Sequence, residues 1–347
     1  MRYYSEKIMG LTPYVAGLQP KEPGWVKLNT NENPYPPSPK VLEALQGVDF
    51  ARLRLYPDTL GGPLRGAVAE VLGVGEEQVF CGNGSDEVLA LAYQAFFARK
   101  SNVLAPDVSY GFYPVWAEMY DVGVRVVPLG ADFAIDPKDY KGGAGVVIAN
   151  PNAPTSMALE RGEIEEILRQ NPEGVVLVDE AYIDFAQVEN AVSLIDQYPN
   201  LLVVRTFSKS HSLAGLRAGY AVGQKELIDG LRRVKNAFNS YPLDLLAQVG
   251  ASAAILDVGY WEETRRKIMR TRDETMARLR EMGYRVLDSQ ANFLFVESRD
   301  AKGLYEHLFE NKILARYWDK PRISGFLRVT VGTDAEMEAF LQCVSRF

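Results

Sequence analysis

Residues 200–220, NLLVVRTFSKSHSLAGLRAGY, open on an apolar run and end in a polar loop that holds Lys209 and, eight residues on, Arg217. The run LLVVRT is short, β-branched and nearly continuous in apolarity, as strands buried on both faces of a parallel sheet are. Three other stretches repeat the pattern: NVLAP at 102–106, GVVIAN at 145–150 and GVVLVD at 174–179. Helical patterns separate them. SPKVLEALQGV (38–48) begins on Ser-Pro, and LRGAVAEVLGV (64–74) carries Gly73 where the helix should stop. Strand and helix alternating in this way predict an α/β domain, a mostly parallel sheet with helices on both faces. Ligands of such sheets lie beyond the carboxyl ends of the strands. The polar motifs of this chain follow strands on that side.

The pattern changes near residue 240. A long helical stretch from Asp244 to Tyr284 is followed by RVLDSQANFLFVES, a helix and GFLRVTVGT, which predicts a smaller α+β domain. NTNENPYPPSP (29–39) reads as an extended, turn-prone segment. The expected division is an arm over 1–35, a large domain over 36–238 and a small C-terminal domain over 239–347.

The chain has 347 residues, enough for two domains, with 47% hydrophobic and 24% charged residues. A formal net charge of −7 argues against a nucleic-acid footprint but not against a local anion pocket. Two widely spaced cysteines, Cys81 and Cys343, make neither a disulfide framework nor a zinc site, and no metal is expected. They fit a reducing cytoplasm. The first residues show no signal-peptide core, and no run reaches membrane-spanning length. A cytoplasmic protein is therefore expected.

Five elements carry candidate chemistry, each with a plainer alternative. Asp179 ends a buried strand, where a lone carboxylate is costly unless a cation pairs with it; it could equally cap the next helix. Tyr182 follows three residues later. Lys209 lies at a strand–loop junction within largely apolar flanks. Desolvation favours a neutral amine, the form that attacks carbonyl carbons, although most lysines are solvated surface charges. In FCGNGSDEVLALA, Gly82, Gly84 and Ser85 form a turn at a helix start, whose free N–H groups suit a phosphate; Ser85 could also be an ordinary cap with Asp86 and Glu87 behind it. Tyr110, in PDVSYGFYP, could stack on a flat ring or simply pack. NPNAPTS (150–156) is a rigid amide-bearing loop or merely a turn. Jointly these elements offer an anion pocket, a nucleophilic amine, a carboxylate for a cationic ring nitrogen, a phenol and a stacking surface. Pyridoxal 5′-phosphate presents the complementary groups.

The sequence resembles the fold-type I pyridoxal-phosphate aminotransferases, and within them the histidinol-phosphate aminotransferases. The resemblance runs from LTPYVAG and LNTNENPY through LYPD, GNGSDEVL, VLVDEAYIDF and RTFSKSHSLAGLRAGY to GFLRVTVGT. It implies that Lys209 bonds the cofactor aldehyde, Asp179 pairs with the ring nitrogen and Tyr182 meets the ring hydroxyl. It assigns the phosphate to Gly84, Ser85, the backbone at Asp86, Thr206, Ser208 and Arg217, and ring stacking to Tyr110. Tyr56, in LYPD, would reach the cofactor phosphate of a partner subunit, so the active unit would be a homodimer. Arg328 would bind the substrate anion, assisted by Arg316 and Tyr14. One departure stands out. The family pattern Asn-Pro-Thr-Gly is Ala153-Pro154-Thr155-Ser156 here, and Asn152, one residue earlier, is expected to take the place of the asparagine that contacts the ring. The implied substrates are histidinol phosphate and glutamate or 2-oxoglutarate. Two alternatives keep the scaffold: an aromatic amino-acid aminotransferase and a threonine-phosphate decarboxylase.

Overall fold

A computed structural model describes residues 3–347. The thirteen strands among the described residues are β1 (Val26–Lys27), β2 (Val79–Gly82), β3 (Val103–Pro106), β4 (Val124–Val127), β5 (Gly145–Ala149), β6 (Val175–Asp179) and β7 (Leu201–Thr206), then β8 (Gly219–Gly223), β9 (Arg285–Val286), β10 (Phe293–Glu297), β11 (Ile313–Leu314), β12 (Arg316–Tyr317) and β13 (Phe326–Thr330). Seven form one sheet in the order β2-β8-β7-β6-β5-β3-β4. Its strands β4, β3, β5, β6 and β7 run parallel, while β8 is antiparallel to both neighbours. Alternate residues feed opposite layers. Val176, Val178, Leu201 and Val203 pack into one core; Leu177, Leu202 and Val204 pack into the other. Burial on both faces explains why these strands read as unbroken apolar runs.

The second sheet is antiparallel, in the order β12-β13-β10-β9, and its core is built with the helices Ala301–Glu310 and Asp334–Val344. The N-terminal segment joins this body rather than merely lying on it. Strand β1 pairs in parallel with β11, and Leu28 is buried in the same core.

The helical stretch after residue 240 is two helices, Leu245–Leu256 and Val258–Glu281. They break at Asp257, whose carboxylate accepts from the Ser38 hydroxyl and, at 2.8 Å, from Lys40 Nζ. Ala247, Ala251, Ala254 and Ile255 of the first helix pack into a core of the seven-stranded sheet, although the sequence pattern groups that helix with the small domain. No helix among the described residues is long and apolar enough to cross a membrane.

Candidate active site

The carboxyl ends of β6 and β7 open into a cavity of about 240 Å³. Asp179 closes β6, and Lys209 lies three residues past the end of β7; both line the cavity. Asp179 is buried. Tyr113 Oη donates to its Oδ2 at 2.8 Å, and the Ala181 N–H donates to Oδ1 at 3.1 Å. Burial outweighs these donors and raises its pKa from 3.8 to about 6. A cation placed against this carboxylate would offset that desolvation.

Lys209 Nζ donates to the Thr30 carbonyl at 3.2 Å and lies 5.7 Å from the Tyr182 ring centroid. The Tyr182 hydroxyl in turn accepts from Asn31 Nδ2 at 2.9 Å. The segment 29–33 thus crosses the site, and Asn33 Nδ2 donates to the carbonyls of Lys209 and Ser210, both at 3.1 Å.

One end of the cavity is the start of helix Gly84–Ala92. Ser85, Asp86, Thr206, Ser208 and Arg217 line it. Gly84 has φ +78°, and a Cβ there would stand 2.6 Å from an Arg217 nitrogen. A Cβ on Gly219 would stand 2.4 Å from the Ser85 amide nitrogen. The two glycines let the arginine and the helix start converge. Arg217 Nη1 donates to Ser208 Oγ at 3.3 Å, and its Nη2 lies 3.7 Å from Asp86. Asp86 also accepts from Tyr110 Oη at 2.9 Å, which fixes the phenol at the rim. Burial, first, and this carboxylate raise the Tyr110 pKa far above its ordinary value.

The other end carries Arg316 and Arg328, directly opposite each other on β12 and β13. Their guanidinium carbons both lie 5.3 Å from the Trp318 ring centroid. Arg328 Nη2 donates to the Asn29 carbonyl at 2.8 Å, whereas its Nε is buried without a partner. Burial, with Arg316 adding to it, lowers the Arg328 pKa. Like charges directly opposed across a ladder are destabilising, so this pair is suited to an anion. Arg316 donates to the carbonyls of Val15 and Ala16, at 2.9 and 3.4 Å. That contact draws in Tyr14, which lines the cavity and stacks on Phe112 at 4.2 Å.

Three of the residues singled out by sequence do not line this cavity: Gly84, which only opens the helix start beside it, Asn152 and Tyr56. Asn152 is buried in its own loop, where it donates to the Val108 carbonyl and Thr155 Oγ1 and accepts from Ser109. Ala153 lines the cavity instead. Tyr56 is 81% exposed and stacks on Tyr241 at 4.5 Å. Conversely, sequence reasoning missed Asn31, Tyr113 and Trp318. The NENP run was the available signal for Asn31, since two asparagines in an extended segment must bond something outside it.

An amine and a buried carboxylate at the carboxyl edge of an α/β sheet, in a cavity with cations from the second sheet at its far end, suit a group-transfer enzyme. A comparison of families is decisive here: the model for aminotransferase class I and II matches residues 23–344. The chain belongs to that family. It is 52% identical over 99% of its length to histidinol-phosphate aminotransferase 1 of Bordetella parapertussis, covering 98% of that protein. It is 50% identical to histidinol-phosphate aminotransferase 2 of Dechloromonas aromatica, covering 97% of both chains. Among solved structures, the histidinol-phosphate aminotransferase of Sinorhizobium meliloti, in complex with pyridoxal-5′-phosphate, superposes with a TM-score of 0.87. That alignment covers 100% of this chain and 97% of the other at 21% identity, a likeness of fold.

Proposed function

We propose that the protein transfers the amino group of L-histidinol phosphate to 2-oxoglutarate with pyridoxal 5′-phosphate as cofactor, giving imidazole acetol phosphate and glutamate. One observation carries this reading: a buried, uncompensated carboxylate and a lysine amine lie between two cationic ends of one cavity. The cavity fits the cofactor on its own features. Gly84 and Gly219 let Arg217 and the Ser85 amide come together at the helix start, where Ser85, Thr206 and Ser208 also line the cavity, and Asp179 lacks the cation that a protonated ring nitrogen would supply. The relatives' names support the amine substrate.

When bound, the cofactor supplies an aldehyde for the amine and a ring that draws electrons from the substrate Cα. The rest is this chain's work. Ser85, Ser208 and Arg217 hold the phosphate, with Thr206 Oγ1, which accepts from the Ser208 N–H at 3.1 Å, shaping the loop. Asp179, buried and accepting from Tyr113 and the Ala181 N–H, would keep the ring nitrogen protonated, and that nitrogen would supply the cation the carboxylate lacks. Tyr182, oriented by Asn31, meets the ring hydroxyl, and Tyr110 covers the ring face. Lys209 Nζ, as a free amine, would take the proton from the substrate Cα. Arg328 and Arg316 bind the phosphate of histidinol phosphate, and in the second half-reaction the α-carboxylate of glutamate. The guanidinium fork suits both anions.

A homodimer belongs to this reading. The exposed Tyr56–Tyr241 stack lies with Phe50, Leu53, Leu55 and Phe238 among the exposed apolar side chains. A second copy covering them would carry Tyr56 toward its partner's cavity. An aromatic amino-acid aminotransferase is the second reading. An adjoining cavity of about 700 Å³, walled by Val122, Val124, Val126 and Tyr113, favours it.

The test is a half-reaction without keto acid, followed by absorbance of the protein saturated with pyridoxal phosphate. Histidinol phosphate should convert the cofactor to its pyridoxamine form much faster than phenylalanine does. A faster reaction with phenylalanine would move the substrate assignment to aromatic amino acids.

A further inference from the structure

The residues assigned to the cofactor alternate with others that never reach the cavity. From the end of β6 onward, Asp179 and Tyr182 line the cavity, whereas Glu180 and Asp184 do not. From the end of β7 onward, Thr206, Ser208 and Lys209 line it, whereas Arg205 and Ser210 do not. The residues that point away pair with one another. Arg205 donates to Glu180 Oε2 through both Nε, at 2.9 Å, and Nη2, at 2.7 Å. Ser210 Oγ donates to Asp184 Oδ2, and Arg205 Nη1 lies 4.0 Å from Asp184 Oδ1. The other Glu180 oxygen accepts from the Ala191 N–H at 2.6 Å. Glu180, Arg205 and Ser210 are buried.

These contacts begin where the sheet ladder stops. The last paired residues of β6 and β7 are Asp179 and Val204, and the Glu180 N–H donates to the Val204 carbonyl at 2.8 Å. Beyond that point β7 continues against β8, with Arg205 opposite Tyr220 and Thr206 opposite Gly219. The 179–185 segment turns away. Past the Glu180 N–H no backbone bond joins the two segments, and side chains hold them together there. A buried ion pair is a poor device for stability alone, since apolar replacements of similar volume often serve as well. Two guanidinium donors on one carboxylate oxygen, whose twin is held by the Ala191 N–H, do fix geometry.

We propose that Glu180, Arg205, Asp184 and Ser210 form a brace that sets the position of Lys209 relative to Asp179 and Tyr182. They are positioning residues and do not touch the cofactor. Arg205 ties the 180–184 segment to the end of β7, four residues before Lys209, and Ser210 ties it to the loop one residue after. The inference rests on the assignment of Lys209 and Asp179 to the cofactor.

The test uses holoenzyme carrying Ser210→Ala, Asp184→Ala, Asp184→Asn or Arg205→Lys. Three quantities are read: the pH midpoint at which the lysine-linked chromophore changes colour, the dissociation constant of pyridoxal phosphate, and the melting temperature. Ser210→Ala and Asp184→Ala should move the midpoint by about half a unit or more and weaken cofactor binding about threefold or more. Arg205→Lys, which keeps the charge but loses the fork, should do the same. Asp184→Asn, which keeps an acceptor for the Ser210 hydroxyl, should restore most of both. Lower melting temperatures with an unchanged midpoint and unchanged cofactor affinity would overturn the brace, because a purely structural pair moves only the first. Ser210→Ala, the smallest change, keeps the test decisive if Arg205→Lys fails to fold. A wild-type protein with no lysine-linked chromophore would overturn the cofactor assignment itself, and the brace with it.

Discussion

The two ends of the cavity are both cationic, yet they are built differently. The end assigned to the cofactor phosphate uses a helix start, two serine hydroxyls and one arginine, and Asp86 lies 3.7 Å from that arginine. The end assigned to the substrate uses two arginines opposed on neighbouring strands, with a buried Nε left unpaired. The first resembles a permanent seat, with backbone donors and a local counter-charge. The second is poised for an anion that arrives and leaves, because its charge is uncompensated until one does. A resident cofactor and a passing substrate call for that difference.

Crossed substitutions would break the comparison most directly. Arg328→Ala should lower kcat/KM for histidinol phosphate by roughly 10²-fold or more, as expected when a desolvated charge contact of about 3 kcal/mol is lost. It should leave the affinity for pyridoxal phosphate nearly unchanged. Arg217→Ala should show the reverse, a cofactor dissociation constant raised about tenfold or more with a small change in KM. Stopped steady-state assays at saturating cofactor, paired with cofactor titrations, separate the two. If both variants change both constants equally, the ends are not independent.

Asp179 sharpens the comparison from the middle of the cavity. Its folded-state pKa is raised from 3.8 to about 6 by burial. The cofactor-free protein is therefore most stable below pH 4 on account of this group, and loses that stability as pH rises through 6. Asp179→Asn should remove the loss and stabilise the cofactor-free protein at pH 7 by roughly 2–3 kcal/mol, while weakening cofactor binding. Thermal melts of both proteins without cofactor at pH 4 and pH 7.5 check the sign.

Gly84→Ala gives the smallest expected effect. A side chain at φ +78° is strained, and its Cβ would press on Arg217. A stability loss of about 1 kcal/mol should accompany weaker cofactor binding, without any change in the KM for the amine.

Much of this site was legible before the fold was known, but only where the signal is local. GVVLVDEAY and LLVVRTFSKS put a polar residue directly after a buried strand, and strand ends point the same way in a parallel sheet. GNGSD marks a helix start by composition alone. Asn31 and Tyr113 escaped because each acts across the chain: Asn31 reaches Tyr182, and Tyr113 reaches Asp179. The opposition of Arg316 and Arg328 depends on strand register, which the intervening loop hides. Asn152 was misplaced for a related reason. Its amide is taken up by Thr155 in its own loop and by Val108 and Ser109 from the loop after β3, and composition does not reveal which way a loop amide turns. The single long helix expected after residue 240 became two because Ser38 and Lys40 grip Asp257 from a distant segment.

The account turns on Lys209 as the residue that bonds the cofactor aldehyde. Borohydride reduction of the protein saturated with pyridoxal phosphate, followed by proteolysis and mass spectrometry, tests it directly. The account predicts a reduced pyridoxyl group on the peptide containing Lys209, and none in Lys209→Ala. A label on another lysine, or an equal label in the substituted protein, would contradict it.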